Sequence, residues 1–204
     1  MKSNIIEFEK FKIKTSDNIF YPRENIEIFP KVLKNIIKKN NKILELGTGT
    51  GAISISVAKN FKNVKITATD INSSAIKIAK NNARINNVEH IIKFKKSNWF
   101  SNIDKIKYDF IITNPPYLAK KNSIYYTELL DPNNSLYANN DGLDDIYKII
   151  RLGVNYLNKN SFIIIEHSHN QTLLLKEYAE KYNLSLVDTE KDNLGFNRVS
   201  VFLN

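Results

Sequence analysis

The chain has 204 residues, 42% of them hydrophobic, which is enough to bury one core, so a single domain over 1–204 is expected. It lacks cysteine, which excludes disulfides and thiolate metal sites and fits a cytoplasmic protein, and no apolar run nears the roughly 20 residues of a membrane span. The net charge of +9 comes almost entirely from lysine, with arginine only at Arg23, Arg84, Arg151 and Arg198, and reads as compositional bias, not as a nucleic-acid track.

Residues 7–21 alternate well enough to predict a hairpin that turns at Ser16, Asp17 and Asn18. Together with the approach through Pro22 and Arg23 it forms an N-terminal segment, 1–24, ahead of a core over 25–204. Residues 25–39 carry helical spacing in Ile28, Val32, Ile36 and Ile37. Lys42 to Leu46 reads as a short buried strand, and Gly47-Thr48-Gly49-Thr50-Gly51-Ala52 follows before a helix through Lys59. Glycines let backbone pass close to a ligand at such a strand-to-helix turn. A second strand ends in Asp70, near the roughly 20-residue spacing at which an acid reaches ribose hydroxyls. Together they mark a nucleoside pocket. The glycines alone fit a nicotinamide dinucleotide as well as S-adenosylmethionine, but 204 residues leave little room for a second mononucleotide half and a catalytic region.

A helix over 73–86 and a strand near 91–96 come next, then the strand 108–113. At its end stands Asn114-Pro115-Pro116-Tyr117. Two prolines in succession have no N–H, so this turn presents acceptors on a fixed backbone. Its natural guest is a planar NH2 group: the Asn114 side-chain oxygen and the Pro115 carbonyl can each accept one hydrogen while the Tyr117 ring lies against the plane. An amide nitrogen held this way is poorly nucleophilic. Its electrophile must therefore be reactive in itself, as a sulfonium methyl is, and alignment can supply roughly 7 to 11 kcal/mol of the barrier. A helix over 142–157, a strand 162–166, a helix 171–182 and two last strands, 184–189 and 198–203, complete the chain. Alternating strands and helices predict a mostly parallel sheet covered on both sides. In such sheets ligands lie beyond the carboxyl ends of the strands, where Gly47 to Gly51, Asp70, Ser97 to Phe100 and Asn114 to Tyr117 all fall. Glu166 and His167 end a strand without a second ligand at metal spacing, and no metal is expected.

In this setting the chain resembles the HemK/PrmC family of protein-(glutamine-N5) methyltransferases that act on peptide-chain release factors. The likeness runs in order from about Phe8 to the C-terminus. It is carried by Pro22-Arg23 with Glu27, the run from Glu45 to Ala52, Ser97-Asn98-Trp99-Phe100, Asn114-Pro115-Pro116-Tyr117, Asp141-Gly142-Leu143 with Asp145-Ile146, Glu166-His167, and Asn197-Arg198-Val199.

The resemblance implies an α/β, Rossmann-like, seven-stranded methyltransferase fold with an N-terminal β-hairpin. It implies S-adenosylmethionine as cofactor and the glutamine of a release factor's Gly-Gly-Gln loop as acceptor. Gly47, Thr48, Gly49 and Gly51 would lie along the cofactor, Asp70 would hold the ribose, and Asn98 and Trp99 would sit by the adenine. Asn114, Pro115 and Tyr117 would carry the chemistry, with Pro116 and Arg23 also on the substrate and Asn114 bordering both ligands. An amino methyltransferase of nucleic acid, acting on adenine N6 or guanine N2, shares the Asn-Pro-Pro-Tyr turn and is the alternative. Three departures stand out: Asn98 replaces the family's usual acid, Ile26 its usual threonine, and the helical domain of bacterial members is not seen before the hairpin. A separate docking partner in place of that domain is an expectation.

Overall fold

The computed structural model describes residues 4–16, 19, 21–119, 137–139 and 142–204, with backbone alone at Glu24, Ala119, Tyr137 and Ala138. Its chain falls into two compact units, Met1–Asp104 and Lys105–Asn204.

The first unit opens with strands β1 (Ile5–Glu7) and β2 (Lys12–Lys14), an antiparallel pair in which Ile6 faces Ile13. The hairpin is therefore present, but its turn lies at residues 8–11. There the Phe8 N–H donates to the Phe11 carbonyl at 2.8 Å and the two rings stack 4.7 Å apart, so aromatic contact closes the turn. Of the expected turn, Asp17 and Asn18 lie outside the described residues. The helix expected over 25–39 is a 3-10 turn, Glu24–Glu27, followed by a short α1 (Ile28–Leu33). Pro30 has no N–H and disfavours α geometry in the residue before it, which suits a tight first turn and a short helix.

β3 (Lys42–Leu46) is buried from Ile43 to Leu46, as a central strand covered on both faces must be. Helix α2 (Ala52–Asn60) is buried at every residue from Ala52 to Ala58. β4 (Lys65–Asp70) and β5 (Ile92–Lys96) extend the parallel sheet, and β4 leads into α3 (Ser73–Ile85), whose first turn is capped by Asn72 accepting from the Ser74 N–H at 2.8 Å. The inward stripe of α3 is alanine and isoleucine except for Asn82, with Asn86 one turn on at the C-cap; both asparagines are buried. The Asn82 amide accepts from the Lys14 N–H and donates to the Lys14 carbonyl, both at 2.9 Å; the Asn86 amide does the same for Lys12 at 3.0 and 2.7 Å. Two side chains thus stand in for a neighbouring strand along β2. Asn82 also donates to the Thr50 carbonyl at 2.9 Å, tying the same clamp to the glycine turn.

In the second unit, β6 (Tyr108–Thr113) runs parallel to β9 (Leu157–Glu166), which starts five residues before the expected strand and carries a register shift opposite Tyr108 and Phe110. Asn160 takes a positive φ of 55° within that early stretch, and Asn158 to Asn160 break the apolar pattern from which a strand is read. Two short strands, β7 (Leu118–Ala119) and β8 (Tyr137–Ala138), form a parallel pair that no sequence signal announces. Helix α4 (Asp144–Gly153) begins with two acids, favourable at a helix N-terminus, and buries Ile146, Ile149 and Ile150. A 3-10 turn, His169–Gln171, with a Ser168/Gln171 capping box leads into α5 (Thr172–Glu180). The chain ends in the hairpin of β10 (Ser185–Lys191) and β11 (Asn197–Leu203). The seven long strands form one sheet in the order β10-β11-β9-β6-β3-β4-β5, mostly parallel, with β11 antiparallel to both neighbours.

Candidate active site

At the end of β3 the chain turns through the glycine run. The Gly51 N–H donates to the Thr48 carbonyl at 2.8 Å and the Thr48 N–H to the Thr69 carbonyl at 2.8 Å, fixing the turn against β4. Gly51 has φ +84°, and a Cβ there would stand 3.0 Å from the Ala79 Cβ, so only glycine lets the turn approach α3 this closely. Around Gly49, by contrast, a Cβ would meet nothing within 4 Å. The turn is thus packed from behind and open in front.

Asp70 faces the same turn. Its Oδ2 accepts from the Gly49 N–H at 2.9 Å and its Oδ1 from the Asn72 N–H at 2.8 Å. Burial raises its pKa above the ordinary carboxylate value, against the lowering effect of these N–H groups and that of Ile71. Each oxygen retains acceptor capacity for a hydroxyl. Beyond β5, the Ser97 hydroxyl donates to the Trp99 carbonyl at 2.7 Å and accepts from the Asn102 N–H at 3.0 Å, holding Trp99 at a φ of 48°. The half-buried Trp99 ring stands 3.6 Å from the position of a Cβ on Gly47, while Asn98 is exposed. Open glycine backbone, a paired-oxygen acceptor and an aromatic wall fit a nucleoside.

Sequence reading missed the work of Glu45. It is fully buried beneath the turn, where the hydroxyls of Thr48 (2.7 Å) and Ser54 donate to its Oε2, and its Oε1 is buried with no hydrogen-bond partner among the described residues. Burial pushes its pKa up to about 7, opposed by the Ser54 and Thr48 hydroxyls and reinforced by nearby Asp70. The Thr48 side chain, expected on the cofactor, is thereby turned inward. Arg23 is exposed at the N-cap of the Glu24–Glu27 turn, Pro22 is buried, and Ile26, which replaces the family's usual threonine, is buried in the core.

The second unit carries the acceptor-only turn. Asn114, Pro116 and Tyr117 are half-buried and Pro115 is buried. The Tyr117 hydroxyl donates to Glu166 Oε1 at 3.2 Å, and the Tyr117 carbonyl accepts from Gln171 Nε2 at 3.0 Å. Gln171 Oε1 in turn accepts from the Ser168 N–H at 2.9 Å. Gly142 packs against the same carbonyl: a Cβ on it would lie 2.0 Å from the Tyr117 oxygen. Glu166 and Gln171, absent from the expected site, therefore set the pose of Tyr117. The Ser-x-x-Gln capping box was the readable signal for Gln171; nothing in the sequence paired Tyr117 with Glu166. The neighbouring His167 is buried, with Nδ1 donating to the Ser168 carbonyl at 2.8 Å and Nε2 accepting from the Ser200 hydroxyl at 2.7 Å; burial drives its pKa down to about 4. Asp141 lies outside the described residues. Among the described residues no group of three or more His, Asp or Glu is placed to hold a metal, and no helix is long and apolar enough to cross a membrane.

Residues 10–131 match the methyltransferase small domain family. The chain is 31% identical to the release factor glutamine methyltransferase of Aliivibrio fischeri over 96% of its own length and 70% of that protein. It is 35% identical to the enzyme of that name from Buchnera aphidicola of Schizaphis graminum over 95% of its length and 71% of the relative. The chain belongs to the release factor glutamine methyltransferase family. Among solved structures, the ribosomal protein L11 methylase of Lactobacillus delbrueckii subsp. bulgaricus is similar at a TM-score of 0.67 and 16% identity, over 90% of this chain and 80% of that one, which bears out the seven-stranded fold. The glycine turn lies in the first compact unit and the Asn-Pro-Pro-Tyr turn in the second.

Proposed function

We propose that this chain transfers a methyl group from S-adenosylmethionine to the side-chain amide nitrogen of the glutamine in the Gly-Gly-Gln loop of a peptide-chain release factor, in the cytoplasm where release factors act. Membership of the family supports the reaction class. The observation that carries the acceptor assignment is the anchoring of Tyr117 at both ends, by Glu166 and by Gln171, beside a turn whose two prolines offer carbonyls and no N–H.

Gly47, Gly49 and Gly51 would hold the donor by backbone, Asp70 its ribose, and Trp99 with Asn98 its adenine; the inward hydroxyl of Thr48 braces the turn through Glu45. Bound there, S-adenosylmethionine would supply a methyl carbon made electrophilic by its sulfonium, with S-adenosylhomocysteine as the leaving group and one of the two amide hydrogens lost as a proton. The protein's own contribution is orientation. Asn114 Oδ1 and the Pro115 carbonyl each accept one amide hydrogen, and the Tyr117 ring keeps the amide plane from rotating, which leaves a face of the nitrogen presented in one direction. Pro116 stiffens the turn, and Arg23 lies on the approach segment. A docking protein, expected from the resemblance, would add affinity for the release factor without touching the reacting nitrogen.

The test incubates the protein with labelled donor and a release factor, with a Gln-to-Ala loop variant as control. One methyl on the loop glutamine is expected; equal label in both factors overturns the reading.

A further inference from the structure

Among the described residues of the second unit, several exposed apolar side chains stand on two elements that the Tyr117 network joins. Leu194 is 80% exposed and Phe196 46%, both in the turn between β10 and β11; Leu173, at the start of α5, is 72% exposed. The turn is rigidly built. Asp192 Oδ1 accepts from the N–H groups of both Leu194 and Phe196 at 2.9 Å, its Oδ2 accepts from Arg198 Nε at 2.8 Å, and its carbonyl accepts from the Gly195 N–H at 2.9 Å. A mobile surface loop has no such set of bonds.

From Tyr117 the connection runs through Gln171, which holds the Tyr117 carbonyl, to the turn that starts α5. There the His169 ring meets the Phe196 ring at 5.1 Å, and Asn197 Nδ2 donates to Thr172 Oγ1 at 3.3 Å. The apolar tip is thus continuous with the turn proposed to grip the glutamine amide. The chemistry of the tip is also selective. No basic residue stands between Asp192 and Phe196, and the arginine that follows is engaged by Asp192; only Lys191 flanks the tip, too few cations for a phosphate-backbone track. Exposed apolar side chains on a fixed frame suit the surface of another protein.

We propose that Leu194 and Phe196, with Leu173 on the adjoining helix, form the surface on which the release factor docks around its glutamine loop. This rests on the substrate assigned above and adds how that substrate is recognised: the Asn-Pro-Pro-Tyr turn holds the loop, and the hairpin tip holds the protein that carries it.

The experiment compares the wild type with Leu194→Ser/Phe196→Ser on two substrates, an intact release factor and a short peptide containing its Gly-Gly-Gln sequence. The expected result is a KM for the intact factor raised about tenfold or more, with kcat and the peptide reaction close to wild type. An unchanged KM for the factor, or equal losses on factor and peptide, overturns the docking surface while leaving the methyl transfer in place. If the wild type methylates neither substrate, the substrate assignment fails on its own, and calorimetric binding of the factor still decides: equal affinity for wild type and variant overturns the surface. Loss of activity on RNA or duplex DNA in the variant overturns it too, by making the tip a nucleic-acid contact. Leu173→Ser, on a separate element, gives the same comparison should the double variant melt early.

Discussion

The hydroxyl of Tyr117 and the carboxylate of Glu166 meet at 3.2 Å, so the aromatic that follows two prolines is pinned by the end of another strand, 49 residues on. Prolines fix the backbone of the turn but cannot fix the ring. Removing the hydroxyl while keeping the ring, Tyr117→Phe, should lower kcat on the release factor by about tenfold, the scale of one hydrogen bond to a charged acceptor, with donor affinity unchanged. Labelled transfer and calorimetry with S-adenosylhomocysteine measure the two quantities.

Asn114→Ala removes one of the two acceptors proposed for the amide hydrogens. Transfer should fall below detection while donor affinity stays within several-fold of wild type. A comparable loss in both would place Asn114 on the donor instead.

Gly142 is expected to be intolerant. At φ +88° a side chain is strained, and a Cβ would press on the Tyr117 carbonyl. Gly142→Ala should cost about 2 to 4 kcal/mol, adding a left-handed backbone penalty to an overpacking one, as read by denaturant unfolding. Its activity should fall further than its stability, because the atom displaced belongs to Tyr117.

Two buried groups pull the pH dependence in opposite directions. Glu45 titrates at about 7 in the folded chain against an ordinary 4.5, so its unfavourable contribution grows as pH rises across that window. His167 titrates at about 4 against 6.5, so the stability it confers is full above 6.5 and is lost as pH falls toward 4. The sum is nearly flat between. Glu45→Gln removes the first contribution, and relative to wild type the variant should gain about 3 kcal/mol as pH rises from about 4.5 to above 7. Urea unfolding at several pH values checks the sign: a variant whose difference from wild type stays constant with pH would show that Glu45 does not titrate there.

Much of this was legible because it depends on local rules. β3, β4 and β6 announce themselves as apolar runs, and the glycine and Asn-Pro-Pro turns as backbone exceptions at their ends. What escaped depends on partners far apart in sequence. Glu45 looks like one more residue of a strand until Thr48 and Ser54 fold over it, and Glu166 gives no hint of Tyr117. The hairpin turn was misplaced because Ser-Asp-Asn is a strong turn signal, whereas the actual turn is closed by Phe8 on Phe11, a contact between rings that no turn composition encodes. Asn82 and Asn86 did leave a trace: two amides four residues apart on an otherwise apolar face need buried partners.

Those two amides grip peptide groups, and peptide groups are the same whatever side chain they bear. The recognition of β2 is therefore blind to the side chains of Lys12 and Lys14, and mutation there can drift to any residue but proline so long as the backbone stays extended. Drift at Asn82 is another matter, since one lost amide would release β2 at Lys14 and slacken Thr50 together.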